Sequence, residues 1–292
     1  MGRRLAAEYC AARDALAEAD EVLGMPLTRL CFEGPDTELI RTENAQPAIL
    51  AVSIAAWRAL TQELALRPAW LAGHSLGEYT ALVVAGALTF PDALRLVRMR
   101  GRLMQSAVPE GAGAMAAVIG LSDEEVEALC AAAAEGEVVA PANFNGAGQI
   151  VIAGHRAAVR RTTEAARRAG ARVVELAVSA PFHCALMAPA AEGLARALAE
   201  VQIGPLAVPV VSNVEAAANS DPARVRTLLV QQVTAPVRWG DSMRLLGRLG
   251  CTRAFEVGPG QVLTKLLQRI RLDIEAVATG EGEGWATLAG PA

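Results

Sequence analysis

The sequence has few of the residues from which metal centres, disulfide frameworks and nucleic-acid surfaces are built. Only 3 of its 292 residues are histidine, and its 5 cysteines are scattered without a CxxC spacing. We therefore expect no metal site and no disulfide framework, and this cysteine pattern favours a reducing, cytoplasmic compartment. The net charge of −4 is small and negative, so the overall charge does not favour nucleic acid or a membrane as a partner.

Long apolar runs and an export signal are also missing. The N-terminus, MGRRLAAEYC, lacks the apolar segment of a signal peptide, and the longest apolar stretch, near residues 48–57, is too short to span a bilayer. By contrast, 53% of the residues are hydrophobic and 20% are charged, as in folded globular proteins. The length suits one large α/β domain, or one domain that carries a smaller insert.

The order of apolar segments predicts that a mostly parallel α/β unit is interrupted by a small α+β insert. In the outer thirds we expect helices over 46–64, 76–88, 91–107 and 261–271, and strands over 69–72, 208–214 and 254–257. The middle third predicts strands over 114–120, 138–144, 149–153 and 171–178, with helices over 122–134 and 155–169. That βαββαβ order is the ferredoxin-like arrangement.

The segment from Gly73 to Gly77 reads GHSLG and fits the pattern G-x-S-x-G between an apolar strand and a helix. In that context it predicts a nucleophile elbow, in which glycines permit a sharp turn that presents the Ser75 hydroxyl. The amide of Leu76 then lies at a helix N-terminus, where it can stabilise a developing oxyanion. The alternative is a tight structural turn, because glycine and serine are common in turns.

A serine nucleophile needs a base, and the three histidines differ in their surroundings. His74 adjoins Ser75 and should point elsewhere on such a turn. His155 opens a predicted surface helix, where a solvated or capping role is expected. His183 directly follows a strand, so elimination leaves it as the base. Without the elbow, a hydrogen-bonded core histidine would be an equally good interpretation of His183.

Arg100 is the charged residue with the most unusual position. It falls on the apolar stripe of its predicted helix, together with Leu96, Val97, Leu103 and Met104. An unpaired buried charge is very costly, so we expect either an internal carboxylate or a bound anion to meet it. The planar guanidinium would suit bidentate binding of a substrate carboxylate.

Five segments together resemble the malonyl-CoA:acyl-carrier-protein transacylases, which include the acyltransferases of fatty-acid and polyketide synthesis. They are GHSLGEYTAL, the MRG around Arg100, NFNGAGQIVIAG, FHCALM and EVGPGQVL. The resemblance runs in order over essentially the whole chain. It implies an α/β-hydrolase-like large subdomain with a parallel sheet, residues 1–111 and 180–292, and a ferredoxin-like small subdomain, residues 112–179.

The resemblance also implies roles for individual residues. Ser75 matches the acylated serine, His183 its partner histidine, and Arg100 the arginine that binds the free malonyl carboxylate. Gln232 matches a glutamine that lines the site, and a main-chain carbonyl at about that position steadies the histidine in place of a third, acidic residue. Phe182 matches the variant that, in polyketide relatives, goes with malonyl rather than methylmalonyl extenders.

The implied reaction is a ping-pong transfer of malonyl from malonyl-CoA to the phosphopantetheine thiol of an acyl carrier protein, without metal or cofactor. One alternative is an acyl-hydrolase or editing thioesterase on the same scaffold, but such relatives lack the arginine that Arg100 matches. The other is a non-catalytic scaffold with a decayed site, which the joint presence of Ser75, Arg100, His183 and Gln232 opposes.

In the family, a segment like MGRRLAAEY follows a strand and a GQGSQ-like loop that supplies a second oxyanion amide. This chain starts at that segment, so we expect the natural protein to be longer at its N-terminus.

Overall fold

The protein, described here by a computed structural model for residues 1–280 and Trp285, is a mixed α/β structure. Its helices are α1 (Arg3–Glu8), α2 (Cys10–Leu23), α3 (Leu27–Glu33), α4 (Asp36–Leu39), α5 (Thr42–Glu63), α6 (Gly77–Val84), α7 (Phe90–Ser106), α8 (Asp123–Ala133), α9 (Arg156–Arg168), α10 (Ala188–Ala199), α11 (Pro222–Thr234), α12 (Trp239–Arg248) and α13 (Val262–Ile270). Its strands are β1 (Leu71–Ala72), β2 (Gly113–Ile119), β3 (Val139–Phe144), β4 (Gln149–His155), β5 (Arg172–Glu175), β6 (Val210–Val211), β7 (Ala218–Asn219), β8 (Arg253–Glu256) and β9 (Glu275–Ala278).

The parallel strand pairs are divided between two short sheets in the described part of the chain. Strand β1 pairs parallel with β6, which pairs antiparallel with β7, whereas β8 and β9 form a separate parallel pair. The strand expected over 208–214 is only two residues long because its chain leaves the sheet early. After Val211, the Ser212 amide donates to the Ala217 carbonyl and the Asn213 amide donates to the Glu78 carboxylate.

The third sheet, which we call the small sheet, contains β2 to β5 in the order β3-β4-β2-β5, with every neighbouring pair antiparallel. Its element order is the βαββαβ order predicted for the middle third. Helix α8 begins with the predicted capping box, because the Ser122 hydroxyl accepts the Glu125 amide at 3.2 Å and the Glu125 carboxylate accepts the Ser122 amide at 2.7 Å. The core beneath α8 and α9 is apolar and includes Val126, Ile150 and Ile152.

The largest core cluster surrounds helix α5, which packs against α2 and α7. This helix begins at Thr42, about one turn earlier than predicted, because its first turn is mostly polar and precedes the apolar stretch on which the prediction rested. Gly101 allows the close approach of α7, since a Cβ there would lie 2.6 Å from the Thr42 carbonyl oxygen. Within residues 1–280, no helix has the length and apolar character needed to cross a membrane.

Candidate active site

The predicted elbow is a sharp turn between β1 and α6. Ser75 has a φ of 52°, in the left-handed region that residues with a Cβ rarely adopt. Gly73 must be glycine, because a Cβ there would lie 2.0 Å from the carbonyl carbon and oxygen of Gly77. A Cβ at Gly77, by contrast, would have no neighbouring atom within 4 Å. The turn thus presents the Ser75 side chain at the start of α6, as G-x-S-x-G predicts.

The Ser75 hydroxyl lies 2.7 Å from Nε2 of His183. Nδ1 of the same ring lies 2.8 Å from the main-chain carbonyl oxygen of Gln232, which can only accept a hydrogen bond. The proton therefore sits on Nδ1, and the lone pair of Nε2 faces the serine hydroxyl. This geometry suits proton removal from Ser75 by His183.

His183 is 4% exposed, and its surroundings disfavour the imidazolium form. Burial and the nearby charge of Arg100 lower its pKa to about 3, although the carbonyls of Gln232 and Ala235 oppose that change. The ring is therefore neutral at neutral pH and available as a base.

Arg100 is 2% exposed and, among the described residues, its hydrogen bonds go to neutral side-chain oxygens and not to a carboxylate. Its Nη1 donates to Oε1 of Gln46 at 2.7 Å, and its Nη2 donates to Oε1 of Gln232 at 3.0 Å and to the Ser75 hydroxyl at 3.1 Å. Its side chain also lies over the Tyr79 ring, with 5.6 Å between Cζ and the ring centroid. Of the two partners expected for this guanidinium, the internal carboxylate is therefore not present within ion-pair distance.

Gln232 is completely buried and contacts several parts of the site. Its Nε2 donates to the Glu78 carboxylate at 2.7 Å and to the Ser75 carbonyl at 3.0 Å. Its Oε1 consequently faces Arg100, while its main-chain oxygen faces His183. The structure thus places the glutamine between the serine, the histidine and the arginine.

Three residues of the site were missed by the sequence analysis: Gln46, Glu78 and Asn213. Asn213 lies outside the elbow segment and fixes its main chain. Its Oδ1 accepts the Ser75 amide at 2.6 Å, and its Nδ2 donates to the Gly73 carbonyl at 2.7 Å. A signal was available for Asn213, because it is a polar side chain within the mostly apolar stretch 208–214. Gln46 closely follows a polar segment and Glu78 has polar residues nearby on both sides, so neither stands out from its surroundings.

The remaining predicted residues occupy the same region. The Leu76 amide makes no hydrogen bond within the described residues, and it lies at the start of α6 where an oxyanion would be favoured. Phe182 is half-buried. It packs between the largest core cluster and the face of the small sheet that lies opposite α8 and α9. His74 turns away from the serine and lies 3.0 Å from Oδ1 of Asn145, whereas His155 accepts the Val138 amide. Residues 1–280 contain no cluster of three or more potential metal ligands.

The chain is similar to known proteins over most of its length. The acyl transferase domain model matches residues 1–272. A malonyl CoA-acyl carrier protein transacylase of Salmonella typhimurium is 48% identical over 282 residues, 96% of this chain and 91% of the relative. An acyl carrier protein S-malonyltransferase structure from Vibrio cholerae superposes with a TM-score of 0.95 at 47% identity, covering 99% of this chain and 94% of that one.

A second solved structure is a malonyl-transacylase in complex with its type II PKS acyl-carrier protein. It superposes with a TM-score of 0.96 at 44% identity, covering 98% of this chain and 93% of that one. Together with the match of the family model to residues 1–272, these similarities establish that the chain belongs to the acyl transferase domain family.

Proposed function

We propose that this chain transfers a malonyl group from malonyl-CoA to the phosphopantetheine thiol of an acyl carrier protein, through an ester on Ser75. The names of its relatives support malonyl as the acyl group. The solved complex of a related transacylase with its carrier protein supports the acceptor. Fatty-acid and polyketide synthesis both use this reaction.

The observation that carries the proposal is the buried Arg100 guanidinium, which meets no carboxylate within the described residues and touches the Ser75 hydroxyl at 3.1 Å. A buried cation without an ion pair is costly, and Glu78 acts on Arg100 only through space and not by contact. The free carboxylate of a malonyl group on Ser75 would supply a neutralising charge in bidentate form, in place of the amide oxygens of Gln46 and Gln232.

The reaction proceeds in two half-reactions. The Ser75 oxygen attacks the thioester carbonyl while Nε2 of His183 takes its proton, and the oxyanion forms near the Leu76 amide. The C–S bond then breaks and the CoA sulfur leaves with the proton. In the second half, the carrier thiol gives its proton to His183 and attacks the ester, and Ser75 recovers a proton as it leaves. No metal or cofactor takes part.

The charge of Arg100 links substrate choice to base strength. Arg100 is the second largest cause that lowers the pKa of His183, after burial. A carboxylate bound to Arg100 would offset that charge and raise the pKa of His183 only in part, because burial, the larger cause, still holds it below its ordinary value. An acyl group without a carboxylate would leave His183 a weaker base.

We also propose the finer architecture that the sequence predicted. Residues 1–111 and the described part of 180–292 would form an α/β-hydrolase-like large subdomain, and residues 112–179 a ferredoxin-like small one. Of residues 281–292, all but Trp285 lie outside the described residues. The strand–turn–helix of the elbow supports the first assignment, and the β3-β4-β2-β5 order with helices α8 and α9 supports the second. All five cysteines are free thiols, which supports a reducing, cytoplasmic compartment.

Phe182 would restrict the extender group. Its position directly before His183 and its packing beside the site support a role in excluding an α-methyl branch. This assignment extends the proposal from malonyl transfer to malonyl selectivity.

Intact-mass measurement tests the proposed function. Malonyl-CoA should add one malonyl mass to the wild type, acetyl-CoA should add little, and Ser75→Ala should remain unmodified with both. His183→Ala should slow acylation by about 10²-fold or more. A stable adduct on Ser75→Ala would contradict the nucleophile. Release of free malonate faster than its transfer to carrier protein would favour the hydrolase alternative.

A further inference from the structure

Glu78 is a buried carboxyl group that the reaction scheme does not use. It lies in the first turn of α6, three residues after Ser75, and is 3% exposed. Within the described residues it forms no ion pair, but Oε2 accepts two hydrogen bonds, from Nε2 of Gln232 at 2.7 Å and from the Asn213 amide at 3.1 Å.

The first of these bonds determines how Gln232 is oriented. A carboxylate only accepts, so it requires the amide nitrogen of Gln232 on its own side. The amide oxygen must then face Nη2 of Arg100, as observed at 3.0 Å. The same residue holds His183 through its main-chain oxygen at 2.8 Å. Glu78 therefore acts on both the base and the arginine through one residue.

The second bond fixes the segment that holds the nucleophile. The Asn213 amide is bound to Glu78, while the Asn213 side chain bonds the Ser75 amide at 2.6 Å and the Gly73 carbonyl at 2.7 Å. Both ends of the elbow are thus held by a residue that Glu78 anchors. The carboxylate joins two contacts that are distant in sequence, 135 residues for Asn213 and 154 for Gln232.

We propose that Glu78 is a positioning residue whose ionised carboxylate aligns Ser75 and His183 through Asn213 and Gln232, so that acylation requires Glu78 to be deprotonated. The proposal rests on the proposed acyl transfer at Ser75. Glu78 itself touches neither the serine hydroxyl nor the histidine ring in the hydrogen bonds described above.

The electrostatics place this ionisation in an accessible pH range. Burial raises the pKa of Glu78 to about 7, although Gln232, Asn213 and the charge of Arg100 on α7 oppose it. The other titratable group that interacts with Glu78 is Tyr79 on α6, whose own pKa is raised to about 12 by burial. The pKa of His183 is lowered to about 3, so protonation of the base falls far below this range. The acid limb of acylation near pH 7 would then belong to Glu78.

The test is the pH dependence of single-turnover acylation at saturating malonyl-CoA. A single group with a pKa near 7 makes the wild-type rate about tenfold lower at pH 6 than at pH 8. Glu78→Gln keeps an accepting oxygen but cannot ionise, so its rate should change less than about twofold over that range and stay below the wild type at pH 8. A Glu78→Gln variant that retains the wild-type fall would overturn the proposal.

Two further variants make the result unambiguous. Glu256→Gln is the matched control, because Glu256 also accepts two hydrogen bonds, from the Leu263 and Thr264 amides, and it should keep the wild-type pH profile. If Glu78→Gln does not fold, Glu78→Asp takes its place. It keeps the charge but withdraws the oxygens, and should slow acylation by roughly 10–100-fold while keeping the acid limb. A wild-type rate in Glu78→Asp would overturn the proposal, whereas an unacylated wild type would instead contradict the proposed function.

Discussion

The polar cluster around Ser75 and the small sheet differ in how much of the chain their contacts join. In the small sheet, β3 and β4 form a hairpin, and the capping residues of α8 are three positions apart. In the cluster, Arg100 bonds Gln46 and Gln232 across 54 and 132 positions. The small sheet is complete within residues 113–175, although β2 pairs with β5 at the far end of that range, whereas the cluster exists only when distant parts of the fold are in place.

The two regions also differ in how they treat charge. The core beneath the small sheet is apolar, whereas the cluster buries Arg100 and Glu78 with no ion pair to either among the described residues. An incompletely neutralised buried charge lowers stability, and such groups collect at functional sites. We therefore expect the small sheet to contribute to the stability of the fold. The cluster should lower that stability, but it provides a preorganised anion site.

The largest expected effect comes from the glycine on which the elbow depends. In Gly73→Ala, the new Cβ would lie 2.0 Å from Gly77 and 2.5 Å from the Glu78 amide nitrogen, all backbone atoms that cannot move without opening the turn. We expect a loss of about 3 kcal/mol or more in unfolding free energy, and no acylation. Chemical denaturation and intact mass measure the two effects.

Gly77→Ala is the matched control, since the motif treats both glycines alike. A Cβ at residue 77 meets nothing within 4 Å, and it lies in a helix, where alanine is favoured over glycine by roughly 0.5–1 kcal/mol. Stability should therefore hold or rise. If the two variants were equally unstable, the steric account of the elbow would be wrong.

The second prediction separates Arg100 from its neighbours on α7. Arg100→Ala should lose about 2–5 kcal/mol of transition-state stabilisation with malonyl-CoA, while acetyl-CoA activity holds or rises. Values of kcat/KM for both substrates give the comparison. Arg98→Ala is the control, because Arg98 bonds the Leu23 carbonyl and not the cluster, so it should change both substrates equally and little. Equal losses in Arg100→Ala would make that residue only structural.

The same contrast explains what the sequence could predict. The elbow, the capping box and the buried position of Arg100 follow from local spacing, and the structure has each of them. The start of α5 was misplaced because its first turn, from Thr42, is mostly polar and precedes the apolar stretch. The contact of Asn213 with the elbow could not be predicted, since it depends on the return of a chain segment 138 positions away to the Ser75 amide.

A third prediction concerns the aromatic side chain beside the base. Phe182→Ser opens space next to the site, and one methyl group in an apolar pocket is worth roughly 1–3 kcal/mol of discrimination. The preference for malonyl-CoA over methylmalonyl-CoA should therefore fall about tenfold in competition assays. Phe144→Ser, in the core of the small sheet, should lower stability without changing that preference. An unchanged preference in Phe182→Ser would remove the residue from the specificity site.

The smallest effect should come from the capping box of α8, a helix that packs on the small sheet. Ser122→Ala removes the hydroxyl that accepts the Glu125 amide at the start of α8, a loss typical of about 1 kcal/mol in unfolding free energy. Ser106→Ala is the control, since that exposed hydroxyl only bonds carbonyls of its own helix, and its change should stay within about 0.5 kcal/mol. Urea denaturation distinguishes the two.

Neither variant should alter acylation of Ser75, because no hydrogen bond described above joins α8 to the cluster. A loss of acylation in Ser122→Ala without unfolding would show that the sheet and the cluster are coupled, and that their separation into a stabilising part and a functional part is wrong.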